Sequence, residues 1–212
     1  MAATAAVNLR SMFITFEGID RSGKTTQARL LCEQLGDEAL GVREPGGTVV
    51  GERVRDLLKD AAVGLGAEAE ALLFAAARAE LVVGVIRPAL EEGRVVVSDR
   101  FLDSSLAYQG GARGLGVEEV GRINRFALGG VRPDLTLLLD IDPAAAANRA
   151  GESDRFEDEG AELQRRVLEA YEELIAAEPA RWRRIDADRP PEDVHAHVLA
   201  EVEAARNAGQ PA

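Results

Sequence analysis

Residues 12–26 read Met-Phe-Ile-Thr-Phe-Glu-Gly-Ile-Asp-Arg-Ser-Gly-Lys-Thr-Thr, and this stretch decides the fold of the chain. Its first five residues are apolar, aromatic or β-branched, which is typical of a buried strand. The pattern Gly18-x4-Gly23-Lys24-Thr25 of a phosphate-binding loop follows. Apolar residues then recur at helical spacing as far as Gly36, where the predicted helix ends. A strand, this loop and a helix in that order predict a nucleoside triphosphate site in an α/β fold.

The residue types in the loop match the chemistry of a bound triphosphate. Gly18 and Gly23 permit backbone angles that turn successive N–H groups toward phosphate oxygens. Lys24 can reach the β- and γ-phosphates, and the Thr25 hydroxyl can bind a phosphate-bound Mg²⁺. We therefore predict ATP and Mg²⁺ as cofactors. The other loop residues predicted to contact the nucleotide are Ile19, Asp20, Arg21, Ser22 and Thr26.

Composition limits the remaining possibilities. With 212 residues, 46% of them hydrophobic, the chain can bury a sizeable core as one domain, with a core at about 12–206 and loose ends. A net charge of −12 argues against nucleic acid as a partner. No apolar run approaches membrane-spanning length and no signal-peptide pattern is present, so we expect a cytoplasmic protein without membrane contact.

A sharp turn follows the second predicted strand, Ala39–Arg43. Proline and paired glycines come directly after it, in Glu-Pro-Gly-Gly-Thr at 44–48. Open α/β sheets bind ligands at this end of their strands. Arg43, with Pro45 beside it, is therefore predicted to hold an anionic substrate; a plain turn with a solvated arginine is the alternative.

Two helices are predicted next, Val49–Lys59 and a second from Ala67 to about Val83, and both carry an apolar face. Phe74 and Arg78 are four residues apart, so they lie on one side of the second helix. Together they could stack against a base and hydrogen-bond to it. Taken singly, Phe74 favours a core position and Arg78 a surface position.

The third predicted strand, 94–98, ends in Asp99 and Arg100. An aspartate in this position can lie beside a P-loop Mg²⁺, and the arginine can hold the phosphate that is attacked. A surface ion pair is the alternative for this dipeptide. Four polar side chains suited to a base or sugar follow: Ser104, Ser105, Tyr108 and Gln109.

Residues 149–158 form a polar, glycine-bearing segment between two predicted helices, as a closing lid requires. Arg149 and Arg155 lie at its start and middle and could bring positive charge to a transferring phosphoryl group. A helix–helix turn with solvated arginines is the alternative. The remaining predicted elements are strands at 134–140 and 182–186, and helices at 117–128, 143–149, 160–177 and 190–205.

In their order along nearly the whole chain, these motifs closely resemble the thymidylate kinase family of nucleoside monophosphate kinases. The resemblance rests on the phosphate-binding loop, the turn at 43–48, Leu-Phe-Ala-Ala-Ala-Arg at 73–78, Asp-Arg-Phe at 99–101, Ala-Tyr-Gln at 107–109 and Asp-Arg-Phe-Glu at 154–157. It implies a five-stranded parallel sheet with helices on both faces and a short lid. It also implies transfer of the γ-phosphoryl group of ATP to dTMP, and a homodimer formed through the apolar helical faces.

The resemblance further implies a role for each candidate residue. Phe74 would stack on thymine and Arg78 would hydrogen-bond its carbonyl edge, with Ser105 and Gln109 near the base. Lys24 would act on the phosphates. The other implied roles are phosphate binding by Arg43 and Arg100, sugar contact and ordering of Arg100 by Asp20, selection of deoxyribose by Tyr108, Mg²⁺ binding by Thr25 and Asp99, and adenine contacts by Arg149, Asp186 and Ala187.

The sequence departs from the family pattern at two points. Arginine is present both in the loop, at Arg21, and around the lid, at Arg149 and Arg155, so the sequence does not decide which one stabilises the transition state. Phe101 stands where the family usually has tyrosine or histidine.

Two other functions stay open on the sequence. A deoxynucleoside kinase would need a carboxylate base, and Glu44 or Asp99 could serve. A nucleotide-dependent switch would need a guanine-reading motif or a water-positioning residue, and the sequence shows neither.

Overall fold

The computed structural model of the chain describes residues 11–149 and 160–208. Most of the predicted lid, including Arg155, lies outside these residues. The strands within them are β1 (Met12–Glu17), β2 (Ala39–Arg43), β3 (Val95–Asp99), β4 (Leu135–Asp140) and β5 (Trp182–Asp186). All four neighbouring pairs are parallel, and the order across the sheet is β2-β3-β1-β4-β5.

Helices connect the strands and cover the sheet. Their bounds are α1 (Lys24–Leu35), α2 (Val49–Lys59), α3 (Ala67–Leu81), α4 (Arg87–Glu91), α5 (Leu102–Ser105), α6 (Val117–Leu128), α7 (Pro143–Ala147), α8 (Gly160–Ala177) and α9 (Pro191–Ala208). Two π-helical segments, Val82–Ile86 and Leu106–Ala112, follow α3 and α5. Among the described helices, none is both long and apolar enough to cross a membrane.

The register of the sheet brings three functional loops to one edge. Asp99 at the end of β3 pairs with Phe16 of β1 on one side and with Arg43 of β2 on the other. The phosphate-binding loop, the turn after Arg43 and the segment after Asp99 therefore leave the sheet side by side. This is the carboxyl edge, at which open parallel sheets bind ligands.

Two apolar layers enclose the sheet, because neighbouring residues of a strand point to opposite faces. Phe13 packs in one cluster with Val96, Leu81 and Ile86, whereas Ile14 packs in the other, against α1, α8 and α9. Burying each large apolar side chain contributes about 1.5–3 kcal/mol. The central strand is thus anchored from both sides, which fixes the start of the phosphate-binding loop.

Most predicted element bounds are confirmed, and the exceptions have local causes. The strand predicted at 94–98 begins one residue later, because the Arg94 N–H is bound to the carbonyl of Ala89 at the end of the preceding helix. The helix predicted to reach Arg149 ends at Ala147, where hydrogen bonds of the last turn tighten to three-residue spacing. The last helix is Pro191–Ala208 rather than 190–205.

Large apolar side chains remain exposed on three adjacent helices and the π-helical turn after one of them. Among the described residues, Val49 is 77% exposed and Phe126 is 93% exposed. We call this set the apolar surface: Val49, Val50 and Leu57 on α2, Leu72 on α3, Val83 in the segment after α3, and Phe126 on α6.

Candidate active site

The phosphate-binding loop folds around the ammonium group of Lys24. Gly18 has φ +137°, and a Cβ there would lie 2.6 Å from the carbonyl oxygen of Leu139, so only glycine fits. Lys24 is buried, and its Nζ donates to the carbonyl of Ile19 at 2.6 Å and to Ser22 Oγ at 3.3 Å. The loop therefore holds its cation in place before any phosphate binds.

Burial, followed by the charge of Arg100, lowers the pKa of Lys24 to about 8, while nearby carboxylates oppose the shift. Lys24 therefore remains mainly protonated at neutral pH. A cation held in a site of low polarity interacts strongly with phosphate oxygens.

A cavity of about 330 Å³ opens beside the loop, and the sequence-predicted residues line much of it. The predicted residues on its wall are Asp20, Arg21, Lys24, Thr25, Arg43, Pro45, Phe74, Asp99, Arg100, Ser105, Tyr108 and Gln109. Ser104, also predicted near the substrate, lines the cavity too, whereas sequence reasoning did not identify Arg55, Leu58 and Lys59. Arg55 and Lys59 lie one turn apart on α2, a spacing that could have suggested them.

Thr25 and Asp99 meet at the mouth of the loop. The Thr25 hydroxyl donates to Asp99 Oδ2 at 2.5 Å. These are two oxygen ligands of the kind that Mg²⁺ prefers. Within 11–149 and 160–208, no group of three or more His, Cys, Asp or Glu side chains forms a metal cage. This pair is thus suited to an ion that takes its other ligands from phosphate and water.

Arg100 is held from several directions in an unusual backbone conformation. Its φ is +68°, a left-handed value that residues other than glycine rarely adopt. Its guanidinium donates to Asp20 Oδ1 at 2.5 Å, to the carbonyl of Gly18 at 3.1 Å and to Ser104 Oγ at 3.0 Å, and it lies over the Tyr108 ring. The contacts aim a fixed positive charge into the cavity.

Asp20 links the phosphate-binding loop to this arginine. Burial alone would raise the pKa of Asp20, but Arg100 and Lys24 hold it below its ordinary value. Gln164 of α8 donates to the second carboxylate oxygen at 2.9 Å. Asp20 is therefore ionised at neutral pH and both of its oxygens are occupied.

Arg78 is buried and only 1% exposed, so the surface position expected from the residue taken singly is wrong. It forms a salt bridge of 2.6 Å with Glu44 and donates to Asn124 and Ser105. Its partners come from the turn after β2, from α5 and from α6, which no local pattern could reveal. Arg78 lies behind the cavity wall rather than among the lining residues, whereas Phe74 is half-buried and lines the cavity.

The salt bridge also bears on the deoxynucleoside kinase alternative. Glu44, a candidate base there, is buried, and burial raises its pKa while Arg78 opposes the rise. Both of its oxygens accept hydrogen bonds from Arg78. The Glu44 carboxylate therefore serves as the partner of Arg78, which argues against its use as the base of a deoxynucleoside kinase.

Arg43 also lines the cavity, and it is held by α2. Its guanidinium contacts both oxygens of Glu52 on α2, at 2.8 and 3.0 Å. Glu52 also accepts the N–H of Gly47, which ties the turn to the helix.

Arg21 of the phosphate-binding loop and Arg149 at the start of the predicted lid make different contacts. Arg149 donates to the carbonyls of Arg21 and Ser22 at 3.2 Å, and to that of Ala187. Arg21 lines the cavity, has φ +59°, and donates to the carbonyls of Ala147 and Arg149. Arg149 therefore joins the loop to the segment after β5.

The predicted adenine contacts lie on that segment, away from the cavity wall. The Asp186 carboxylate is exposed and binds the N–H of Asp188 and the side chain of Arg189. The neighbouring Ala187 carbonyl accepts from Arg149.

Glu17 is a buried site residue that sequence reasoning missed. It accepts from the N–H of Phe101 at 2.9 Å, from Ser104 Oγ at 2.5 Å and from the Tyr171 hydroxyl at 2.8 Å. Burial, followed by the charge of Asp103, raises its pKa to about 7. Its signal in the sequence was a lone carboxylate closing an apolar strand. It supports the segment that carries Arg100.

The parallel sheet, the phosphate-binding loop after its central strand and the cation-lined cavity define a P-loop kinase of the nucleoside monophosphate class. A family model described as thymidylate kinase matches residues 16–198. The chain belongs to the thymidylate kinase family.

Individual thymidylate kinases match this chain over most of their length. The chain is 50% identical to the thymidylate kinase of Pelotomaculum thermopropionicum over 205 residues, covering 92% of this chain and 94% of the relative. It is also 50% identical to that of Symbiobacterium thermophilum over 199 residues, covering 91% and 93%. The crystal structure of thymidylate kinase from Ehrlichia chaffeensis superposes with a TM-score of 0.76 at 36% identity, covering 91% of this chain and 99% of that one.

Proposed function

We propose that this protein transfers the γ-phosphoryl group of ATP to the phosphate of dTMP, giving dTDP and ADP. The observation that carries the proposal is the placement of Arg100. This half-buried arginine is fixed by Asp20 of the phosphate-binding loop and faces the same cavity as Lys24. A site for a triphosphate and a cation for a second phosphate therefore adjoin, as direct transfer between two nucleotides requires.

The chemistry needs no general base. The attacking atom is an oxygen of the dTMP phosphate, whose second pKa is about 6, so it is largely ionised at neutral pH. A bond forms from this oxygen to the γ-phosphorus while the bond to the β,γ-bridging oxygen breaks. What the protein supplies is alignment and positive charge, here from Lys24, Arg100 and Arg43.

Thr25 and Asp99 are the proposed Mg²⁺ ligands. Their two oxygens lie together beside the loop, and the acidic side chain matches the charge of the ion. When bound, Mg²⁺ would neutralise charge on the β- and γ-phosphates.

For the cation that acts at the transition state, the contacts favour Arg21 over Arg149. Arg21 lines the cavity beside Lys24 and Thr25 and also donates to two backbone carbonyls, whereas Arg149 is bound to three backbone carbonyls and is not among the lining residues of the cavity. Arg149 is better placed to hold the adenine end of ATP. Arg155 lies outside the described residues.

The cavity wall offers one surface for each part of the acceptor nucleotide. Phe74 supplies an aromatic face for thymine, and Ser105 and Gln109 supply hydrogen-bonding groups. Tyr108, held beside Arg100, would crowd the 2′ position of the sugar and favour deoxyribose. Arg78 lies behind Ser105, to which it donates a hydrogen bond of 3.0 Å, and from there it would hydrogen-bond to the carbonyl edge of the base.

The nucleotide substrates suggest the cytoplasm as the location of the protein.

The apolar surface supports a homodimer. The side chains of this surface lie on adjacent helices, and contiguous exposed apolar patches commonly mark protein interfaces. A second copy of the same surface would remove them from water.

A coupled assay of ADP release tests the proposed activity. ADP should appear only when ATP, Mg²⁺ and dTMP are all present, and Lys24→Met should lower kcat by about 10²–10³. ADP release at the same rate without dTMP would contradict the proposal.

A further inference from the structure

A buried carboxylate lies behind the part of the cavity assigned to the base. Glu70 of α3 is 1% exposed, and its Oε1 accepts a hydrogen bond of 2.9 Å from the side-chain amide of Gln109. Glu70, Phe74 and Arg78 follow one another at four-residue intervals, so they form one stripe along α3. The stripe faces the cavity wall, and its first member has no role in the proposed chemistry.

Both partners of this hydrogen bond are held in place. Arg113 donates to the same Glu70 oxygen at 2.5 Å. Gln109 belongs to the π-helical segment Leu106–Ala112, which packs closely against α8: a Cβ on Gly111 would lie 2.4 Å from the Cβ of Ala170. Glu70 is therefore anchored by a second donor, and the backbone that carries Gln109 is fixed by packing against α8.

The carboxylate determines which end of the Gln109 amide faces it. An ionised carboxylate only accepts hydrogen bonds, so the NH₂ end of the amide must point toward Glu70. Among the described residues, this is the one hydrogen bond of the Gln109 side chain. Its carbonyl oxygen is left as an acceptor for a ligand in the cavity that Gln109 lines.

An acceptor in this place distinguishes pyrimidines by the hydrogen on N3. Thymine and uracil carry an N3–H donor, whereas N3 of cytosine is an acceptor. Two acceptors facing each other in a buried site leave both groups without a partner, and such a mismatch is costly.

We propose that Glu70 is a positioning residue for base specificity: it fixes the Gln109 amide so that the carbonyl oxygen accepts the N3–H of the acceptor nucleotide, which selects dTMP over dCMP. The inference rests on the proposed phosphorylation of dTMP. It places a specificity element one layer behind the cavity, in a residue that does not touch the substrate.

The test compares kcat/KM for dTMP, dUMP and dCMP in the wild type and in Glu70→Gln. A glutamine at 70 can donate or accept, so it permits both orientations of Gln109. We expect the dTMP-to-dCMP ratio to fall about tenfold or more, mainly through KM. The dTMP-to-dUMP ratio should stay the same, because both bases carry N3–H.

Two further variants separate this role from a structural one. Arg113→Lys keeps a cation beside Glu70, so the carboxylate stays ionised, but alters the packing of the ion pair; it should preserve the dTMP-to-dCMP ratio even if stability falls. Glu70→Asp keeps the charge but moves the carboxylate away from Gln109, because its side chain is shorter. It should lower the dTMP-to-dCMP ratio as Glu70→Gln does. It also replaces Glu70→Gln if that variant does not fold.

An unchanged dTMP-to-dCMP ratio in folded Glu70→Gln or Glu70→Asp would overturn the inference, as would an equal fall in Arg113→Lys. Failure of the proposed function looks different, since the wild type itself would then show no turnover with dTMP.

Discussion

Asp20 Oδ1 lies 2.5 Å from Nη2 of Arg100, although the two residues are 80 positions apart in the chain. One belongs to the phosphate-binding loop and the other to the segment after β3. The loop that receives the triphosphate therefore also holds the cation proposed for the acceptor phosphate. The proposed donor and acceptor sites are thus built on one edge of the sheet.

Replacing Asp20 should weaken acceptor binding. Asp20→Asn removes the charge that orients Arg100, which keeps its contacts with Gly18, Ser104 and the Tyr108 ring. We expect KM for dTMP to rise about tenfold, the equivalent of one charge-assisted hydrogen bond. Steady-state kinetics provide the measurement. Glu33→Gln, which breaks an exposed pair with Arg29, is the matched control and should leave KM unchanged.

The two described arginines near the lid should differ in kinetic effect. Arg21→Ala should lower kcat by about 10³, the scale of a transition-state arginine. Arg149→Ala should act mainly on KM for ATP, because its contacts join the loop to the segment after β5. Rates at saturating dTMP with varied ATP separate the two effects. A larger loss of kcat in Arg149→Ala would reverse the assignment.

The titration of Glu17 should appear in the pH dependence of stability. Its pKa is raised from 4.5 to about 7, so between these values the folded state binds more protons than the unfolded state. The stability that this group contributes is complete below about pH 4.5 and is lost as pH rises through about 7.

Urea unfolding of the wild type and Glu17→Gln measures this contribution. The wild-type free energy of unfolding, minus that of the variant, should fall from pH 4.5 to 7 and then level off. A difference that stays constant over this range would show that the carboxyl group keeps an ordinary pKa in the folded protein.

The apolar surface should mediate self-association. Sedimentation equilibrium should give twice the 22.6 kDa mass of the chain. Leu72→Glu, which places a charge within the surface, should shift the protein to monomer. Ala200→Glu adds the same charge at an exposed position of α9 and should remain dimeric. A monomeric wild type would refute the dimer.

Features encoded by local pattern could be predicted from the sequence. The loop at 18–25 and the strands Ala39–Arg43 and Trp182–Asp186 depend on glycine placement and apolar runs, which act over a few residues. The proximity of Thr25 and Asp99 was expected because an aspartate at the end of a strand can lie beside the Mg²⁺ of a phosphate-binding loop.

Features set by packing between distant segments could not be predicted. The burial of Arg78 depends on Glu44 and Asn124, which are 34 and 46 residues away. The role of Glu17 as an acceptor for three donors depends on Phe101, Ser104 and Tyr171, whose arrangement follows only from the assembled sheet and α8. Periodicity does not carry that information.

Initial rates with a panel of acceptors test the central claim most directly. With ATP and Mg²⁺ fixed, dTMP, dUMP, thymidine and dGMP are compared at equal concentration, and the products are identified. The account predicts dTDP from dTMP as the main product and no dTMP from thymidine. Phosphorylation of thymidine at its 5′-hydroxyl, without turnover of dTMP, would contradict it.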